Sequence, residues 1–409
     1  MGTHAVIEVA TAFLRLGCTA FGGPFAHLGY FRAEFVERRR WLTDAAWTDT
    51  VAMCQVLPGP SSTQTAFALG LRRAGIAGGI AAWAAFTLPS AAVMAAAGAG
   101  VVTVGATAGS SGWIAGLRAL AVAVVARAAW AMAKACLRRP AAWLGAIACT
   151  MVVLAAARST SSAVAVFAQP AVIVAAAATA MLAGRRGGAP AIAPAGLAGP
   201  DPLAVPRSAS AVALLVFLGL LALAAFAPLA SPIARAGAST YGAGALVFGG
   251  GHVVLPLIER PFVERGWLDA STVIAGYALA QAVPGPMFTM ATFLGAAIGQ
   301  PNGGAASAWG AAFLTVAVFM PGLLLVVAVE PAWRRLRALP ALSAAVGGAS
   351  IAVTGVLAAA LIDPVLPAGI TDLSGAAIAT ASLALLGVRR VPVPAVVIGA
   401  AAAGQLLGA

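Results

Sequence analysis

Apolar runs long enough to be helices, separated by short polar or Gly/Pro-rich breaks, recur along the whole chain. A helix needs about 20 apolar residues at 1.5 Å each to cross a bilayer. On that criterion the pattern predicts spans at roughly 4–20, 45–71, 76–101, 113–135, 141–157 and 163–183, then 210–230, and then 234–258, 271–298, 304–329, 341–362, 367–387 and 392–408. Between the two sets lies "GRRGGAPAIAPAGLAGPDPLAVPR", Gly184 to Arg207, whose prolines and glycines cannot continue a helix. The chain therefore divides into a first half (1–183), a linker with a connecting span (184–232) and a second half (233–409).

The halves repeat one another. "FGGPFAHLGYFRAEFVERRRWLTDAAW…QVLPGP" from Phe21 aligns with "FGGGHVVLPLIERPFVERGWLDAST…QAVPGP" from Phe248, with one residue gained beside Arg40. Phe-Gly-Gly, Phe-Val-Glu-Arg, Trp-Leu and Gln-x-x-Pro-Gly-Pro recur in one order, which points to an internal duplication. Six spans per half and one between them make about 13, and that odd count before the second copy turns it upside down, the build of many secondary transporters. The expected fold is thus an all-α polytopic membrane protein of two inverted six-span repeats, each with a helix broken at Pro-Gly-Pro. The rival reading makes each Pro-Gly-Pro segment a re-entrant hairpin, which changes the parity of that count.

Composition agrees that the solvent is lipid. Hydrophobic residues make up 61% of the 409 and charged residues 9%, with a mean hydropathy of +0.97, against roughly half and a quarter in soluble domains. The net charge of +12 comes from arginines that fall mostly in doublets between apolar blocks: Arg72-Arg73, Arg138-Arg139, Arg185-Arg186, Arg334-Arg335 and Arg389-Arg390. That spacing marks cytoplasmic loops and not a nucleic-acid surface. With the N-terminus inside and the C-terminus outside, these doublets, Arg207, Arg260 and Arg265 face the cytoplasm, whereas Arg32 and Arg38 to Arg40 are left outside. Cys18, Cys54, Cys136 and Cys149 form no CxxC pair, so neither a disulfide framework nor a zinc site is expected. The N-terminal segment, interrupted by Glu8 and Arg15, does not read as a signal peptide, and Val6 leaves the initial Met-Gly without a myristoylation motif.

The two breaks carry the candidate chemistry. Pro58-Gly59-Pro60 and Pro284-Gly285-Pro286 fall midway along apolar segments. Prolines flanking a glycine stop a helix, and the backbone groups they free must be satisfied by protein or by a water-filled cavity. Each break is followed by a new helix start, at Ser61-Ser62-Thr63 and at Met287-Phe288-Thr289. Helix N-termini bind anions through free N–H groups and the helix dipole. Two such ends, preceded by Gln55 and Gln281 and furnished with the hydroxyls of Ser61, Ser62, Thr63 and Thr289, would suit a small tetrahedral dianion. The plainer alternative for either break alone is a proline kink or a tight interhelical turn.

Other polar positions are candidates for the pathway or for coupling. Arg127 lies mid-span with Lys134 one heptad on, and Asp49 sits in the first arm of a broken helix, where its counterpart is Ala275. His27 and His252 follow the two Phe-Gly-Gly turns and are expected to pack or to relay protons rather than to bind metal. Gly22, Gly23, Gly249 and Gly250 permit close backbone approach or positive φ, and Trp41 and Trp267 are expected as matched interfacial anchors. Twelve acids and three histidines so dispersed form no catalytic cluster. There is no GxxxxGK[ST] for a nucleotide, so no cofactor is expected and ion gradients must supply the energy.

The motifs "FGGP" at Phe21, "FGGGH" at Phe248, "QVLPGP" and "QAVPGPMFTMATFLG" resemble those of the chromate ion transporter family, in its long-chain, two-domain branch. The resemblance covers nearly the whole chain. It implies a bacterial inner-membrane protein that expels chromate from the cytoplasm after adventitious entry by sulfate uptake, built from two homologous domains of opposite orientation. The residues alone reach only a carrier for a small oxyanion, with sulfate as an alternative substrate and uptake as an alternative direction. The lipid bilayer and the anion are the expected partners, nucleic acid is not, and a homo-oligomer is left open.

Overall fold

The computed structural model describes residues 3–21, 23–105, 112–159, 162–184, 205–228, 230–247, 254–299, 304–336, 339–388 and 391–407. The first half builds α1 (Thr3–Thr19), α2 (Gly23–Arg32, running on into a π turn at Ala33–Arg38), α3 (Asp44–Val56), α4 (Ser61–Gly105), α5 (Gly112–Cys136), α6 (Pro140–Ala157) and α7 (Ser162–Gly184). The connecting helix is α8 (Arg207–Phe226). The second half builds α9 (Pro232–Leu246), α10 (Val254–Glu264), α11 (Ala270–Ala282), α12 (Met290–Gly299), α13 (Gly304–Val329), α14 (Trp333–Leu336), α15 (Pro340–Ala360), α16 (Leu366–Gly369), α17 (Leu373–Gly387) and α18 (Val393–Leu407). Among the described residues there is no strand, and six stretches are long and apolar enough to cross a membrane. Leu144, Ile147, Leu215 and Ile398 stand on the outside of α6, α8 and α18. Such an apolar exterior is tolerated in lipid and not in water.

Elements at matching sequence positions begin with matching caps. Thr43 caps α3 through the Ala46 N–H (3.3 Å), and Asp269 caps α11 through the Thr272 N–H (2.9 Å). A side-chain oxygen at this position satisfies one of the free donors of the first turn. Packing partners are exchanged between the copies: α5 packs on α17 and α18, and α15 on α6 and α7.

The expected crossing at 45–71 is corrected by the structure. Ala74 and Gly75 leave helical geometry, so α4 is two helices, 61–73 and 76–105, joined at a sharp bend. Trp41, just before α3, lies under the guanidinium of Arg73 at 5.3 Å, and Arg32 pairs with Asp44 at the start of α3. The two ends of 45–71 therefore meet, and Pro58-Gly59-Pro60 is the tip of a hairpin. The rival sequence reading is the one that the contacts favour. α1 and α2 also double back: Glu8, early in α1, pairs with Arg39 (3.5 Å) and with Arg73 (2.7 Å). Sequence length misled here because two half-length arms around a tip carry as many apolar residues as one full span. In the second half, Arg265 beyond α10 donates to Ser239 at the middle of α9 at 2.9 Å, so that pair doubles back as well.

Both arms of these hairpins lean on long helices. Arg72 pairs with Glu330, just past the end of α13, at 3.4 Å, and Trp83 meets Phe319 with ring centroids 6.2 Å apart. The 76–105 arm of α4 and α13 thus run antiparallel. α8 starts at the same end of the bundle, where Ser210 donates to the Val327 carbonyl at 3.0 Å. At the opposite end, Trp113 of α5 donates its backbone N–H to Gln405 of α18 at 3.3 Å.

Candidate functional site

Each Pro-Gly-Pro tip docks on the other copy. The Gly59 N–H donates to the carbonyl of Val247, at the end of α9, at 2.7 Å. The Gly285 N–H donates to the carbonyl of Ala20, just past α1, at 2.9 Å. These acceptors immediately precede the two Phe-Gly-Gly motifs. Gly59 also lies against Gly322 in the C-terminal half of α13, and Gly285 against Phe86 and Ser90 midway along the 76–105 arm. Pro321-Gly322 and Pro89-Ser90 occupy matching places in the two copies. Gly59 and Gly285 have φ of +128° and +103°, a region that side-chain-bearing residues rarely enter.

The helix restart after the first tip is polar and buried. The Gln64 N–H bonds the Pro60 carbonyl at 2.8 Å and so begins the helical ladder, leaving the N–H groups of Ser61, Ser62 and Thr63 as the free donors of the first turn. Ser62, Thr63, Gln64 and Thr65 are buried. Thr65 donates to the Ser61 carbonyl at 2.8 Å, whereas the Thr63 hydroxyl is covered and has no hydrogen-bond partner among the described residues. Gln64 braces the tip: its amide nitrogen donates to the carbonyls of Pro58 (2.9 Å) and Gly322 (3.3 Å). Sequence reading did not single Gln64 out, since its counterpart in the other copy is Met290. Its place in an unbroken polar run, Ser61 to Thr65, was the available signal.

The second restart differs. One 3₁₀ turn, Met287–Thr289, precedes α12, and Met287 and Phe288 are buried. The Thr289 hydroxyl is occupied by the Pro286 carbonyl at 2.8 Å. Gln281 is half-buried and bonds Tyr277, and its amide nitrogen is covered without a partner among the described residues. Gln55 is exposed, so the two glutamines are not placed alike.

The remaining candidates separate into those near the tips and those elsewhere. His27 is 1% exposed and stands edge-on to Phe86 at 5.3 Å; Phe86 is a neighbour of Gly285. Gly23 (φ +75°) lies beside the Met287 sulfur, so the first Phe-Gly-Gly turn and the second Pro-Gly-Pro meet. Asp49 is buried and accepts from the Trp333 indole N–H at 3.1 Å, toward the Arg72–Glu330 end. Arg127 is exposed on the outer side of α5, and Lys134 lies on the Trp130 ring at 5.0 Å. The structure does not bring Arg127 to the tips. Gly22, Gly249, Gly250 and His252 lie outside the described residues, as do Arg185, Arg186, Arg389 and Arg390. Trp41 and Trp267 stack with Arg39 and Arg265, at 5.7 and 5.2 Å, as matched residues of the two copies.

Long apolar helices with lipid-compatible exteriors and broken helices buried at their centre define a multi-pass helical membrane protein. The chain belongs to the chromate transporter family, whose model matches residues 7–199 and 234–405. It is 29% identical over 405 residues to the chromate transport protein of Cupriavidus metallidurans, covering 98% of this chain and 93% of that one. It is 28% identical over 371 residues to the chromate transport protein of Pseudomonas aeruginosa, covering 87% and 80%. A shorter match, 36% over 95 residues, is to a probable chromate transport protein of Synechococcus elongatus, covering 23% of this chain and 24% of that one. No solved structure matches.

Proposed function

We propose that this protein is a secondary carrier that exports chromate, a tetrahedral dianion, from the cytoplasm across the bacterial inner membrane. The observation that carries the reading is the crossed docking of the two tips, Gly59 on Val247 and Gly285 on Ala20, each against the interior of a long helix. It sets a polar helix start with free N–H groups near mid-membrane depth, where an anion is otherwise hard to accommodate. Membership of the family and the names of its full-length relatives supply chromate as the substrate.

The two halves, 1–183 and 233–409, act as inverted repeats. Four crossings in each copy, with α8 between them, and two half-depth hairpins at the start of each copy reproduce the contacts described. An odd number of crossings then still separates the copies. This arrangement gathers Arg38 to Arg40, Arg72-Arg73, Arg138-Arg139, Arg207 and Arg334-Arg335 on one face, which the positive-inside rule assigns to the cytoplasm. Arg260 and Arg265 pass to the other face. A potential negative inside favours dianion export by about 2.3 kcal/mol per charge per 100 mV.

The test is chromate accumulation in everted membrane vesicles energised with NADH, with and without excess sulfate. Saturable uptake abolished by an uncoupler supports export, and reduction by sulfate gives a site shared by tetrahedral dianions. No uptake by well-inserted protein removes chromate export from consideration.

A further inference from the structure

We propose that the cavity enclosed by α7, α8, α9 and α10 is a vestibule that binds a small tetrahedral oxyanion at the end of the protein opposite Glu8. The cavity measures about 430 Å³ and is lined by Gln169 of α7, by Arg235, Ser239, Gly242 and Leu246 of α9, and by Arg265. The α9 positions lie on one helical face, so the cavity follows the helix for about 16 Å. Its deep end, Leu246, adjoins Val247, whose carbonyl holds the Gly59 N–H. Its outer end carries the two arginines.

Three features give the cavity its chemistry. Its lining contains two arginines and no carboxylate. Glu264, next to Arg265 in the chain, pairs with Arg260 at 3.0 Å, and neither Arg235 nor Arg265 has an ion pair among the described residues. Arg265 is aimed by the Ser239 hydroxyl at 2.9 Å and by the Trp267 ring, and Arg235 meets the Ala230 carbonyl at 3.4 Å. Gln169 is 6% exposed, and its side-chain amide makes no hydrogen bond among the described residues. Guanidinium forks match oxyanion geometry, and low-dielectric walls concentrate their field. At about 30 Å³ per water, the volume admits a tetrahedral oxyanion with part of its hydration shell.

The identity of the ligand as the transported dianion rests on the function proposed above; the charge and shape of the cavity do not. A lipid phosphate shares the chemistry, and the experiment separates the two sources. Ala238, which also lines the cavity, is replaced by cysteine in a chain whose four native cysteines have been removed, and the protein is held in phosphatidylcholine nanodiscs. A sulfonate-bearing methanethiosulfonate is expected to react ~10-fold faster than an ammonium-bearing one, with the preference lost in R235Q/R265Q. Sulfate, used because chromate oxidises thiols, is expected to slow the reaction saturably when both arginines are present. Equal rates for the two reagents, or protection by a short-chain phosphatidylglycerol but not by sulfate, overturns the proposal. In proteoliposomes, R235Q/R265Q is expected to raise the half-saturation concentration for chromate presented to that face ~10-fold with the maximal rate within about twofold of wild type. A change in maximal rate alone would make the arginines structural and likewise overturn it. Wild-type protein that moves no chromate would refute the carrier reading while leaving the thiol result to stand or fall on its own.

Discussion

The backbone N–H of Gly59 is bound to the carbonyl of Val247 at 2.7 Å, between the two halves of the chain. Gly285 and Ala20 repeat the relation in the other direction at 2.9 Å. Each break is held by the end of a helix from the opposite half, so each tip touches both halves.

Alanine at either glycine tests the tips. A Cβ on Gly59 would lie 2.8 Å from the Gln64 amide nitrogen and 3.0 Å from the Gly322 Cα, and one on Gly285 would lie 2.9 Å from the Ser90 hydroxyl. Left-handed backbone adds about 1–2 kcal/mol for a residue with a Cβ. Both variants are expected to insert normally and to lose chromate transport by about tenfold or more, since 1.4 kcal/mol is a factor of ten. S90G is expected to recover part of the loss in G285A and none in G59A. Full activity of both single variants in vesicles would contradict a role for the tips.

Thr63→Val separates binding from stability. The Thr63 hydroxyl has no partner among the described residues, so its removal is expected to leave the melting temperature unchanged within about 1 °C, consistent with a ΔΔG near zero. The half-saturation concentration for chromate is expected to rise about tenfold or more, one hydrogen bond to a charged ligand being worth about 1.5–3 kcal/mol. Thr65→Val, which loses a bond to Ser61 instead, is expected to show the reverse. Unchanged transport kinetics in Thr63→Val would remove its hydroxyl from the site.

The Arg72–Glu330 pair, with side chains 14% and 2% exposed, is buried. E330Q leaves the Arg72 charge without that partner and is expected to cost about 3 kcal/mol. R72L/E330L is expected to be milder than E330Q, because both charges leave together. Thermal unfolding in detergent measures this, and a loss in R72L/E330L equal to or larger than that in E330Q would contradict a cost that comes from the stranded Arg72 charge.

Labelling checks the orientation. Arg39→Cys is expected to react with an impermeant maleimide only in everted vesicles, and Leu373→Cys, at a position 86% exposed, only in right-side-out ones. Labelling of both from the same side would refute the proposed arrangement of crossings.

Several features were legible in the chain itself, because repeats and helix breakers leave local marks. Thr43 and Asp269, Trp41 and Trp267, and the two Pro-Gly-Pro triplets recur at matched offsets, and the structure gives them matched surroundings. The choice between a crossing and a hairpin was not legible, because apolar content reports how much chain is buried and not whether it continues or returns. The contact that reveals the return, Arg73 on Trp41, is a single pair of surface residues. The bond from Trp333 to Asp49 joins positions 284 residues apart, and no local pattern anticipates it. Arg235 lies in α9 and Arg265 just beyond α10, on the two arms of one hairpin, and only its folding makes them neighbours.

The exchanged packing of α5 with α18 and of α15 with α7 has a consequence for how the chain must be assembled. Each half surrenders its last helix to its counterpart and takes one back, so the molecule is a tethered dimer of unlike partners. The first half leaves the ribosome with a face that only later synthesis can cover, and it must wait in the bilayer for its mate.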